Sequence, residues 1–159
     1  MQLISNEDIF FMKQAIAEAK LALQHDDVPI GAVAVSEGKI IARAHNMRHI
    51  LNDPTAHAEI LLLRRVSSIL GTWYLTDVTV YVTLEPCMMC AGALYQARIR
   101  RLVFGATDEK MGAVVSNLDL LSLDWVNHKF QITQGILKQE CSMLLKEFFR
   151  AKRKNKGII

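Results

Sequence analysis

Two short segments restrict the fold of this chain more than anything else in it: Thr55-Ala56-His57-Ala58-Glu59 and Leu84-Glu85-Pro86-Cys87-Met88-Met89-Cys90. Each reads as the start of a helix. Asp53-Pro54-Thr55 marks a turn, and the apolar run after it predicts a helix beginning near His57. Cys87 and Cys90 lie three apart, which puts both sulfurs on one helix face, and Pro86 suits a first helical position, where its missing N–H costs nothing. An imidazole and two thiolates are the donors that zinc prefers, so the two helix starts are expected to meet at one metal ion. A structural zinc closes with four protein ligands, whereas a catalytic one has three and keeps a position for water. The fold must therefore bring two helix N-termini to one point.

The positive end of a helix dipole and the metal together favour the thiolate form of such cysteines. Glu59, two residues after His57, is the candidate to move the proton of the water. On an ideal helix these two side chains are about 200° apart. In a first turn both can still border one cavity, the His toward the metal and the Glu toward a substrate. Taken singly, each residue has a blander reading: a redox dithiol, a satisfied core histidine, a solvated helix carboxylate. The joint occurrence, with Met-Met between the cysteines, argues for a catalytic zinc, one per chain.

Around these segments the pattern alternates. Ser5 can cap a helix in which Ile9, Met12, Ile16, Ala19 and Leu23 recur at helical spacing, ending near His25-Asp26-Asp27. Ile30 to Val35 and Lys39 to Ala44 read as a hairpin across Ser36-Glu37-Gly38, followed by Asn46 and a polar loop to Asp53. Strands are predicted over Val78 to Thr83, Arg101 to Gly105 and Phe130 to Thr133, and a last helix from Leu137 to Lys152. Asp108 to Asn127 reads as a long, partly irregular connection with short helical turns. This is an α/β pattern: a central mixed five-stranded sheet with helices on both faces, antiparallel at the hairpin and parallel where helices cross over. The site then falls where strands feed helix N-termini.

At 159 residues the chain fits one domain over 1–159. No apolar run approaches the length of a membrane span, and Met1 to Glu7 lacks a signal-peptide pattern, so a cytoplasmic protein is expected. Two of the three cysteines are committed to metal, which leaves no disulfide framework, and Cys141 sits among Leu137, Leu144, Leu145 and Phe148 as an inert buried thiol. The net charge of +3 is a feature of the C-terminal end. From Phe148 onward there are five basic residues and no acidic one, which leaves −2 for the remainder. A basic segment over about 150–159, next to Phe148 and Phe149, suits either a nucleic-acid contact or a solvated terminus.

The pattern H-x-E followed by P-C-x-x-C is the signature of zinc deaminases acting on nucleobases. With Val28-Pro29-Ile30-Gly31-Ala32-Val33, Asn46, Asp53 to Glu59, Tyr81 to Gly92, Arg101 to Gly105, Asn127-His128 and Gly135 through Phe149, the chain resembles the bacterial tRNA adenosine deaminases of the cytidine/deoxycytidylate deaminase superfamily along nearly its whole length. The resemblance implies a three-layer α/β/α, cytidine-deaminase-like fold. It implies hydrolytic deamination of adenosine to inosine at the wobble position of a tRNA anticodon, the arginine one, by a homodimer. It also implies roles: His57, Cys87 and Cys90 as zinc ligands, Glu59 as proton shuttle, and Asn46 as a contact to the target base. Asp108, Asn127 and His128 would line the anticodon cleft, and Phe149 and Arg153 would reach the RNA from the last helix. The alternatives are a relative acting on free cytosine, cytidine or guanine, which would share the zinc motif, and an inactive RNA-binding partner subunit, which would usually lack the carboxyl that Glu59 supplies.

These roles separate two variants. Glu59→Ala should keep the metal and lose turnover, whereas Cys87→Ala should lose both, as read by metal content and product formation. Equal metal loss in the two would remove Glu59 from the role of proton shuttle.

Overall fold

The structure, a computed structural model, describes residues 5–156, so the end of the basic segment, 157–159, lies outside the described residues. The Ser5 hydroxyl accepts the Asp8 N–H at 3.0 Å and caps α1 (Asn6–Leu21), with Glu7 and Asp8 at the positive end of the helix. After a 3-10 turn over Ala22–His25 come β1 (Gly31–Ser36) and β2 (Lys39–His45), an antiparallel hairpin. Its two turn residues, Glu37 and Gly38, have φ of 51° and 76°, matching the right-handed twist of the strands. Then follow α2 (Arg48–Leu51), α3 (Ala58–Leu70), β3 (Thr79–Leu84), α4 (Met88–Ala97), β4 (Arg101–Ala106), β5 (Gln131–Gln134) and α5 (Lys138–Lys156).

The strands are ordered β2-β1-β3-β4-β5. β1 is antiparallel to both β2 and β3, while β3, β4 and β5 run parallel. Pairing is thus mixed, as expected, with one addition: α3 links β2 to β3, which run the same way but with β1 inserted between them. Strand alternation sorts the side chains into two layers. Ala32, Ala34, Val80, Val82, Leu102 and Phe104 face Leu62, Val66 and Leu94 of α3 and α4. Val33, Val35, Tyr81 and Val103 face Phe11, Met12 and Ala15 of α1 and Cys141 of α5. The arrangement is therefore three layers, with the sheet in the middle.

Three sequence expectations need correction. Pro86 precedes α4 instead of opening it, because Cys87 takes the cap position with extended backbone. The loop after Asn46 contains α2, which the sequence does not signal because a distant residue holds it. Buried Asp27 accepts from Arg48 Nε at 3.1 Å and the His49 N–H at 3.1 Å. Finally, α5 continues to Lys156, so the basic segment is helical as far as it is described. No helix among the described residues is long and apolar enough to cross a membrane.

One polar network fastens α1 to the sheet. Asp8, 3% exposed, accepts from Tyr81 Oη at 2.6 Å and from both terminal nitrogens of Arg101, at 3.0 and 2.7 Å. Burial alone would raise the Asp8 carboxyl, but hydrogen bonds from Arg101, Tyr81 and Ser5 outweigh it and hold the group below 3.8. Asp8→Asn should cost about 2–4 kcal/mol at neutral pH, less than for a fully buried pair because Arg101 keeps partial contact with water. A carboxylate with a depressed folded-state pKa contributes fully above its unfolded value and loses the contribution as pH falls through its folded one. The gap between wild type and Asp8→Asn in chemical denaturation should therefore narrow below about pH 4.

Candidate active site

His57 is the cap residue of α3, with φ −74° and ψ 153°, and Cys87 is the cap residue of α4, with φ −74° and ψ 177°. Cys90 lies in the first turn of α4 and is buried. The central sheet sets β3 and its following helix beside the start of α3, so the three side chains converge. His57 Nδ1 is 3.7 Å from Cys87 Sγ and 3.5 Å from Cys90 Sγ, and the three ligand atoms lie within 4.8 Å of one another. Bonds of about 2.3 Å to sulfur and 2.0–2.1 Å to nitrogen at tetrahedral angles would set a zinc-bound sulfur and nitrogen about 3.6 Å apart. Donor chemistry and spacing both fit zinc.

The hydrogen bond with Cys90 and, against burial, the one with His57 bring the Cys87 thiol down to about 4. The same contact with Cys87, reinforced by burial, pushes the Cys90 thiol up, and the contact with Cys87 raises His57 above 6.5. Cys87 thus favours the thiolate that a metal takes, and loading such a cluster displaces protons.

Glu59 is 3% exposed, and its Oε1 is buried without a hydrogen-bond partner among the described residues. Burial holds its carboxyl up at about 7. An unpartnered buried oxygen is costly to the fold, and such a group is a candidate for work on a bound molecule. Asn46, 2% exposed, places its Oδ1 2.8 Å from the Ala58 N–H, one of the orphan donors of the first turn of α3. That bond fixes the amide: the oxygen faces the helix, which leaves the Nδ2 donor free of this role. Sequence reasoning had Asn46 at the base but did not foresee that it also supports the helix carrying Glu59.

The remaining predicted residues divide. Asp108 sits in a turn, its carboxylate accepting the Lys110 and Met111 N–H groups at 3.1 and 3.2 Å. Its segment joins the His57-Cys87-Cys90 cluster through an isolated bridge between Gly112 and Cys87. Asn127 Oδ1 accepts from Tyr95 Oη at 2.9 Å, and His128 Nε2 lies 3.3 Å from the Ile99 carbonyl, so both are tied to the end of α4 and the approach to β4. Phe149 and Arg153 are exposed on α5, which packs on the other face of the sheet. Among the described residues no hydrogen bond joins them to the cluster. Lys152, a neighbour in the basic segment, pairs with Asp26 and lies 5.6 Å over the Phe148 ring. One residue stands in the cysteine segment without a role read from the sequence: Glu85, whose buried carboxylate gathers donors from residues 108–116.

The profile of the MafB19-like deaminases matches residues 5–153. A tRNA-specific adenosine deaminase of Bacillus subtilis is 47% identical over 150 residues, covering 94% of this chain and 93% of the relative. One from Agrobacterium fabrum is 46% identical over 147 residues, covering 92% and 97%. A solved structure from a study of A-to-I editing by tRNA:A34 deaminases at the wobble position superposes with a TM-score of 0.83 at 46% identity, covering 86% of this chain and 99% of its own. A guanine deaminase of Nitrosomonas europaea shares the fold at a TM-score of 0.73 but only 23% identity, covering 93% of this chain and 86% of its own.

Asn46→Ala should leave the Ala58 N–H without its acceptor and cost about 1–3 kcal/mol of stability. Asn46→Asp keeps an oxygen to accept from Ala58 and, when ionised, has no donor; its charge lies at the start of α3, where the helix dipole favours an anion. It should retain most of the stability, by chemical denaturation, while losing turnover as severely as the alanine variant.

Proposed function

The chain belongs to the tRNA-specific adenosine deaminase family, and from that premise we propose that it converts adenosine to inosine at the wobble position of a tRNA anticodon, the arginine one, releasing ammonia. The observation that carries this reading is a buried carboxylate with an unpartnered oxygen, Glu59, beside a His-Cys-Cys cluster of zinc-like spacing. His57, Cys87 and Cys90 would hold one zinc per subunit. When bound, the ion supplies Lewis acidity, which brings the ionisation of water from near 16 to about 7.

The chain's own residues do the rest. Asn46 donates to the extruded base through Nδ2 and orients it. Glu59 accepts a proton from the attacking water and delivers it to N1 of adenine, which makes C6 electrophilic. After addition at C6, the same carboxyl takes the proton of the new C6 hydroxyl and passes it to the exocyclic amine, which departs as ammonia and leaves the C6 carbonyl of inosine. A carboxyl held near 7 by burial can take and return a proton in this way at neutral pH. Asp108, Asn127 and His128 line the cleft for the anticodon loop, whose single strand makes extrusion cheaper than in a duplex. Phe149 and Arg153 meet the RNA from α5, where aromatic stacking can return about 1–3 kcal/mol per base. In this reading the enzyme is a cytoplasmic homodimer.

The test offers an arginine anticodon stem-loop with a wobble adenosine beside free adenosine, cytidine and guanine. Inosine should form in the stem-loop alone, with apparent affinity falling steeply as salt rises, because binding a polyanion releases counterions. Turnover of a free nucleobase or nucleoside, indifferent to salt, would assign the chain to the small-molecule deaminases instead.

A further inference from the structure

Glu85 lies two residues before the first metal-ligating cysteine, is 2% exposed, and has no part in the chemistry set out above. Its carboxylate receives five donors. Oε1 accepts the Asp108 N–H at 3.0 Å and the Ser116 hydroxyl. Oε2 accepts the N–H groups of Val114, Val115 and Ser116 at 3.1, 2.8 and 3.0 Å. Residues 108–116 therefore wrap around one carboxylate, which takes the place that a strand partner or a helix would occupy for this irregular segment.

Two further contacts lock the wrap to the metal segment. The Ala113 N–H donates to the Pro86 carbonyl at 2.9 Å, and Gly112 bridges to Cys87. The wrap is also tight. A Cβ on Gly112 would lie 2.4 Å from Glu85 Cδ and 2.5 Å from the Asp108 carbonyl oxygen, closer than side-chain carbons approach. Asp108 enters the wrap through its own N–H, and exposed Met111 precedes the glycine that touches Cys87. A carboxylate is suited to this work because, ionised, it is all acceptor, with about four lone-pair sites. An amide in the same place would turn an N–H₂ group toward N–H donors.

We propose that Glu85 is the positioning residue for the 108–116 segment, fixing it against the metal cluster and so setting how RNA flanking the target base is held. The identity of the ligand rests on the proposed function; the fixing of the segment does not. Glu85→Gln has nearly the same shape but mismatched hydrogen-bonding character, and Gly112→Ala forces the segment off the carboxylate from the opposite side. The two should share one phenotype.

The experiment follows hydrogen exchange of the full-length, zinc-loaded chain, together with metal content and stem-loop kinetics. Both variants should speed exchange of the 108 and 114–116 amides by at least about tenfold, the factor that corresponds to ~1.4 kcal/mol. The α4 amides and the zinc content should stay as in wild type. KM for the stem-loop should rise by a similar factor while kcat is nearly kept, a split that a general loss of folding would not produce. Unchanged protection of these amides in both variants would overturn the proposal, as would a fall in kcat at unchanged KM. If wild type forms no inosine in the stem-loop, the function assigned above fails, and the exchange measurement still decides whether Glu85 holds the segment.

Discussion

Two sulfurs at 3.5 and 3.7 Å from one imidazole nitrogen require their backbones to be placed to within a few tenths of an ångström, and local sequence cannot do that. The sheet does. β3 is buried in the middle, antiparallel to β1 on one side and parallel to β4 on the other, and it delivers Cys87 directly from its C-terminal end. The hairpin turns the chain back so that α3 starts beside that end. Each cysteine or histidine is then placed by a cap or a first turn, whose backbone the packed neighbours fix. The Asp8–Tyr81–Arg101 network and the two apolar layers hold that frame and take no part in the chemistry.

Polar burial in this molecule follows a division of labour. Asp8, Asp27 and Glu85 are each nearly inaccessible and each fully engaged, with donors that keep them ionised. Glu59 is as buried as they are but has an oxygen with no partner, and it alone of the four is pushed upward. The contrast is what distinguishes a carboxylate that organises structure from one available to a reacting molecule.

Much of this was legible in the sequence wherever the signal was local. The Ser5 cap, the hairpin around Glu37-Gly38, the five strands and the His57–Glu59 and Cys87–Cys90 pairings each depend on residues a few positions apart. What was not legible depends on long-range partners. α2 forms because Asp27, some twenty residues earlier, accepts from Arg48 and the His49 N–H. The tie of Asn127 to Tyr95 and the wrap of 108–116 around Glu85 likewise pair residues with no common periodicity. Glu85 in particular reads as an ordinary acidic residue after a strand, and only the closed tertiary structure shows what surrounds it.

The wrap around Glu85 has a consequence for how such a protein can diversify. Four of its five donors are backbone N–H groups, which every residue except proline supplies. The shape of the segment is therefore largely indifferent to the identity of Glu109, Lys110, Met111 and Val115, all of which face solvent. Substitutions there can accumulate and change what the segment presents to solvent, while the fastening underneath and the His57-Cys87-Cys90 cluster beside it stay the same. A loop fastened from beneath, with an interchangeable outer surface, separates what holds its shape from what it offers to other molecules.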